Sequence, residues 1–290
     1  MSLGLRAILA CVLGLLGLGG CDGGGYKQRG GQWLYDDQPF APVAPSSLRP
    51  IDRLFARDER HAYYRGQLIA GSEGASFEVL SEHEARDRAA VYYADTFRRA
   101  QEYWSIRHVH VAPIPEALPA TYRVLGMGYA SDGQHAYLEG QALRVRDPAS
   151  FQPLDRRFAR DAQRGYYEGT EIADSDGRSF EIIAAGDGDH VRDRAHVWHA
   201  HIEIDDPNRP AHPAVTLLAG ARPASVRVLG QGYAVDGGSV WWRGRRVAKA
   251  DAASFVLVEP STDEADARDA QRSYRQGRPA STPVAPQPAR

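Results

Sequence analysis

An eleven-residue run, Arg227-Val-Leu-Gly-Gln-Gly-Tyr-Ala-Val-Asp-Gly237, repeats one that lies 104 residues earlier, Arg123-Val-Leu-Gly-Met-Gly-Tyr-Ala-Ser-Asp-Gly133, with two changes in eleven. Such a repeat constrains the fold more than any composition. A chain that recurs in this way must build like units, and a small unit cannot bury its apolar face alone, so neighbouring units must stack or wrap.

The repeat extends through residues 51–260. Its fullest form is Phe55-Ala-Arg-Asp58, Ala62-Tyr63-Tyr64-Arg65-Gly66, Leu68-Ile69 and Ser76-Phe77-Glu78-Val79-Leu80, which returns around Phe158, Asp161, Tyr166-Tyr167 and Ser179-Phe180. Two further forms centre on Asp132 with Tyr137, and on Asp236 with Trp241-Trp242. In two others, built on Asp87 with Tyr92-Tyr93 and on Asp193 with Trp198, an insertion follows the aromatic residues, over 94–120 and 200–224. About six units thus form a duplicated trio whose middle member carries the insertion. A partial seventh is expected at Ala267-Arg-Asp269 and Tyr274 within the 261–290 tail, which starts with a short N-capped helix at Ser261 and is read as disordered from Gly277 to Arg290.

Each unit reads as a three-stranded β-meander. Aromatic and β-branched residues favour strands. The glycine after the aromatic pair suits a tight turn with positive φ. The Ser-Phe-Glu-x-Leu element alternates and supplies a third strand. The predicted fold is therefore all-β, and the pattern fits an extended sheet, a solenoid or a propeller-like ring equally. The recurrent Asp58, Asp87, Asp132, Asp161, Asp193 and Asp236 precede the aromatic residues where a turn is expected, and carboxylates there accept backbone amides. A residue present in every unit is a poor candidate for the one acid or base of an active site.

This pattern over roughly residues 51–258 resembles the DKNYY family of bacterial repeat proteins, named for an Asp-Lys-Asn-Tyr-Tyr signature. Asp58, Asp87 and Asp161 precede Tyr63-Tyr64, Tyr92-Tyr93 and Tyr166-Tyr167 at the matching places, although Glu59, Arg88 and Ala162 stand where the signature has lysine. The resemblance implies an envelope repeat protein and carries no activity to particular residues.

The amino-terminal residues 1–20 are a predicted export signal: Arg6 is the basic flank, and Ala7 to Leu18 form an apolar stretch too short to span a bilayer. Leu18-Gly19-Gly20-Cys21 resembles the bacterial lipobox, which implies cleavage after Gly20 and acylation of Cys21. The expected membrane contact is through those acyl chains, each buried methylene contributing about 0.8 kcal/mol. Asp22 favours the periplasmic face of the inner membrane over the outer membrane. The other cysteine, Cys11, leaves with the signal, so stability must come from packing without a disulfide. Residues 21–50, rich in glycine and proline, read as a tether, with Trp33, Leu34, Tyr35 and Phe40 docking on the domain.

Chemistry-bearing motifs are sparse. His108 and His110, and His199 and His201, are paired two apart on expected strands, a spacing that suits zinc or copper, but no third and fourth ligands are apparent and no metal is assigned. Asp174-Ser-Asp176-Gly177 and Asp187-Gly-Asp189 lack the EF-hand spacing and read as turns. A formal charge of −2 argues against a nucleic-acid partner, and no cofactor motif occurs. Thirty-three of the thirty-five basic residues are arginine, which with tyrosine and tryptophan is interface chemistry. The expected function is a non-enzymatic, lipid-anchored envelope protein that binds a protein partner through its insertions, for example as an immunity or inhibitor protein. A passive spacer is the next reading. The third is a cell-wall enzyme using acids such as Asp187 or Glu203, whose carboxylates would then converge in one pocket.

Overall fold

The computed structural model describes residues 24–99, 107–206, 209–259, 261–262 and 264–280. The expected signal segment, Gly20, Cys21 and Asp22 lie outside them, as do residues 281–290.

Eight antiparallel sheets follow one another along the chain, each a simple meander. Sheet 1 has three strands, Tyr26–Arg29, Gln32–Tyr35 and Gln38–Pro39. The other seven have four. Sheet 2 is Arg49–Pro50, Phe55–Arg57, Ala62–Tyr64 and Gln67–Leu68, and sheet 3 is Glu78–Val79, Glu84–Arg86, Val91–Phe97 and His108–Pro113. Sheet 4 is Arg123–Gly126, Tyr129–Ser131, Ala136–Leu138 and Gln141–Leu143, and sheet 5 is Gln152–Pro153, Phe158–Arg160, Gly165–Tyr167 and Thr170–Glu171. Sheet 6 is Glu181–Ile182, His190–Arg192, Val197–Glu203 and His212–Leu217. Sheet 7 is Arg227–Gly230, Tyr233–Asp236, Ser239–Trp242 and Arg245–Arg246, and sheet 8 is Val256–Leu257, Ala267–Arg268, Ser273–Arg275 and Arg278–Pro279.

The all-β repeat is as expected, but its unit differs in number and phase. The Phe-Ala-Arg segment is itself a strand. The strand within Ser-Phe-Glu-x-Leu closes no meander of its own: Glu78–Val79 pairs with Glu84–Arg86 and so opens the next sheet. Each unit therefore has four strands, the first contributed by the segment that follows the preceding unit. The partial seventh unit is a complete sheet 8. Residues expected as a flexible tether form sheet 1, with Leu34 and Tyr35 buried and Tyr26, Trp33 and Phe40 packed on Leu48, Ala56 and Tyr63. No helix starts at Ser261; the Thr262 hydroxyl instead accepts the Ala265 amide in a turn.

Strand alternation explains why the aromatic residues come in pairs. Adjacent side chains point to opposite faces. The leading ring of each pair packs back on the preceding sheet, and the ring after it packs forward on the next. Tyr63 packs against sheet 1, whereas Tyr64 joins Phe55, Phe77 and Tyr92 between sheets 2 and 3. Tyr166 packs back on Tyr129 and Phe151, and Tyr167 packs forward on Phe180 and Trp198. A small residue faces the leading aromatic across the ladder: Ala56 opposite Tyr63, Ala85 opposite Tyr92, Ala130 opposite Tyr137, Ala159 opposite Tyr166 and Ala234 opposite Trp241. Each buried ring contributes about 1.5–3 kcal/mol. Seven such clusters join successive sheets. Among the described residues no such cluster joins sheet 8 back to sheet 1.

The repeated aspartates hold this series together. Asp58 Oδ1 accepts the amides of Arg60 and His61 in its own turn, while Oδ2 accepts the Tyr63 hydroxyl at 2.6 Å and the Ala44 amide at 2.9 Å. The same four donors recur at Asp87, Asp132 and Asp161, and also at Asp269. Asp193 keeps the three amides but faces Trp198, which has no hydroxyl. Asp236 instead takes the Arg222 amide, the Arg222 guanidinium and the Ser225 hydroxyl. All seven carboxylates are 2–7% exposed. Six of the seven tie their own turn to the loop leaving the previous sheet, and Asp236 binds that loop through Arg222 and Ser225.

Candidate functional site

The two insertions depart from the repeat in the same way. They are arms: the third and fourth strands of sheets 3 and 6 lengthen to seven and six residues, where the corresponding strands of the other four-stranded sheets have at most four. Ladder pairing continues from Tyr92–Pro113 out to Phe97–His108 in one arm, and from Trp198–Leu217 out to Glu203–His212 in the other. In both sheets the fourth strand is an outer edge.

The arms carry apolar side chains that the packed core does not cover. Phe97, Ile202, Ile204 and Leu217 are exposed, Ile204 to 72%. Phe97 stacks on His108 at 5.1 Å, and His110 Nδ1 lies 3.2 Å from Asp95 Oδ1. Beside the second arm, Ile172, Trp198, Pro213, Val215 and Leu217 line a groove of about 380 Å³, with His196 and Asp174 at its polar side.

On its other face sheet 6 breaks the aromatic rule. The forward-facing position is His199, whose ring lies 4.8 Å from His190 on the neighbouring strand and 5.3 Å from His201 on its own. His190 is fully buried and neither ring nitrogen has a hydrogen-bond partner. Asp187 stands beside it, Oδ1 at 3.9 Å from Nδ1, and its other oxygen accepts the Gly232 amide at 2.9 Å. Burial, with His190 and His201 adding to it, pushes the His199 imidazole down to about 3. His190 and the Gly232 amide hold the Asp187 carboxyl well below the usual carboxylate range, against the cost of burial. At the matching position of sheet 3, buried Glu84 is satisfied by the hydroxyls of Ser81 at 2.6 Å and Tyr122 at 3.1 Å.

His108 and His110 thus lie in one arm and His199 and His201 in the other. The spacing of His199 and His201 gave notice of one pair. His190 escaped sequence reasoning because only the ladder register sets it opposite His199. The three rings lie in file, and among the described residues no group of three or more His, Cys, Asp or Glu is arranged to hold a metal ion. Asp187 has its amide and imidazole neighbours, and Glu203 sits in the arm opposite His212. Asp176 accepts the Ser179 hydroxyl and pairs with Arg194, as a turn residue does. No family model matches the chain, and neither a curated protein nor a solved structure does.

Proposed function

We propose that the chain is a lipid-anchored bacterial envelope protein, of the DKNYY type, whose stacked sheets display two arms that bind another macromolecule without catalysis. The observation that carries this reading is the pair of long edge strands at matching places in the duplicated trio, both flanked by exposed apolar residues. A long edge strand presents outward backbone donors and acceptors to a partner strand, except that a proline there offers no donor. In the second arm the pairing register turns the Pro213 carbonyl, the Val215 amide and carbonyl and the Leu217 amide outward, because the alternate positions face Val197–Glu203, while the Leu217 carbonyl accepts the Ala219 amide. The same three residues line the apolar groove, so one extended partner segment meets both features at once. The proposed anchor adds local concentration at the membrane.

Crosslinking in native membranes, with Cys21 intact and the products read by mass spectrometry, tests this reading. One dominant partner is expected, and it should disappear when residues 94–111 and 200–215 are replaced by short Gly-Ser turns. A partner retained by the armless chain would reject the arms as the binding surface.

A further inference from the structure

The two arms occupy matching places in the duplicated trio but carry opposite charge. Over residues 94–111, Arg98, Arg99 and Arg107 outnumber Asp95 and Glu102, so the first arm is basic. Over residues 200–215, Glu203, Asp205 and Asp206 outnumber Arg209, so the second is acidic. Pairing within each arm sharpens the contrast. His110 lies 3.2 Å from Asp95 in the first, and Arg209 lies 3.7 Å from Asp206 in the second. Arg99 and Arg107 are exposed in one arm; Asp205, with His212 4.0 Å away, is exposed in the other, beside half-buried Glu203.

Each arm also offers what a docking strand needs. Phe97 is exposed next to the arginines, and Ile202 and Ile204 are exposed among the acids. The ladder register turns the Val111 amide and carbonyl outward in the first arm, as it does those of Val215, the equivalent residue, in the second. Backbone groups alone therefore allow any arm to pair with any other. Charge makes the choice: like arms repel, unlike arms attract, and complementary charge across an interface steers encounter and rejects the wrong partner. Within one chain, sheets 4 and 5 stand between the two arms. A second copy offers the complementary arm without that separation. We propose that the occupant of each arm is the opposite arm of a second copy of this chain. The proposal rests on the arms being the binding surface, as argued above. Taken singly the contact is heterologous; two copies that exchange both contacts close into a two-fold pair, the second contact forming at high effective concentration.

The test uses two differently tagged copies of the full chain, expressed together and solubilised from membranes in neutral detergent at low salt. One tag is captured and the recovery of the other is read by immunoblot. Wild-type copies should be recovered together, less so at about 0.5 M salt. Recovery should fall about tenfold when both copies carry Arg99→Glu with Arg107→Glu, or Glu203→Arg with Asp205→Arg, because either pair gives the two arms one sign. It should return when both copies carry all of these substitutions, which exchange the charges of the arms; that return also shows the substituted arms to be folded. Recovery that ignores these charges would reflect shared micelles and overturn the proposal. Absence of wild-type recovery would overturn it too. A different protein crosslinked to the arms in native membranes would then keep them as the binding surface with another occupant, and no crosslinked protein at all would reject both readings.

Discussion

At the scale of single residues, the repeated aspartate does more than shape a turn. Its two oxygens saturate donors from two successive units, so one side chain sets the position of a sheet relative to the loop before it. Burial raises the Asp132 carboxyl, but the Tyr137 hydroxyl and the amides of His135, Gln134 and Leu118 outweigh it and hold the group at about 2. A carboxyl depressed in the folded state contributes stability that is complete above the unfolded value near 4 and is lost as pH falls towards 2. Asp132→Asn presents an NH₂ group to donors and should cost about 2–4 kcal/mol at pH 7. It should also flatten the loss of stability between pH 4 and 2, as read from urea midpoints. Tyr137→Phe, which removes one donor, should cost about 1 kcal/mol. An asparagine variant as stable as the wild type at pH 7 would remove the aspartate from this role.

At the scale of the element, the tight turn after each aromatic pair joins strand chemistry to sheet packing. Glu139 and Gly140 both have positive φ, as the turn that matches strand twist requires. Gly140 has a further reason to lack a side chain: a Cβ there would stand 2.5 Å from Cγ of Tyr93 in the preceding sheet. Gly133 also has positive φ, but nothing lies within 4 Å of its Cβ position. Gly140→Ala should therefore cost about 2–4 kcal/mol, backbone strain plus overpacking, and Gly133→Ala about 1–2 kcal/mol, backbone strain alone. Equal losses in chemical denaturation would mean that the contact with Tyr93 is soft. This turn was legible in the sequence, as were the aromatic strands and the structural place of the aspartates, because each is encoded within about ten consecutive residues. The phase of the unit was not. Glu78–Val79 is a two-residue strand, too short to show a period, and nothing local says whether it pairs backwards or forwards. Sheet 1 was hidden by its glycines and prolines, although Trp33-Leu34-Tyr35 followed by Asp36-Asp37 is a strand and turn signal. In the candidate site, the arms were visible as interruptions of the repeat, whereas His190 depends on a contact between strands that only the ladder register sets opposite each other.

At the scale of the whole molecule, each inner sheet is covered on both faces by its neighbours, whereas sheets 1 and 8 each have one neighbour among the seven clusters. Coupling in such a series runs mainly between adjacent units. Removing residues 24–41 takes away the cover over Leu48, Ala56 and Tyr63. Hydrogen exchange should then quicken in sheet 2, less in sheet 3, and stay unchanged in sheets 5–8. Loss of protection throughout would show that the series unfolds as one cooperative body.

The borrowed first strand has an evolutionary corollary. Asp58 and Asp161 stand 103 residues apart, and Asp132 and Asp236 stand 104 apart, so the duplicated cassette covers three units. A cassette copied in this phase ends on a segment that opens the next sheet, and begins by finishing one already started. Gene duplication can then lengthen the protein while every new junction arrives with its own seam, and the two original ends go on serving as terminal covers.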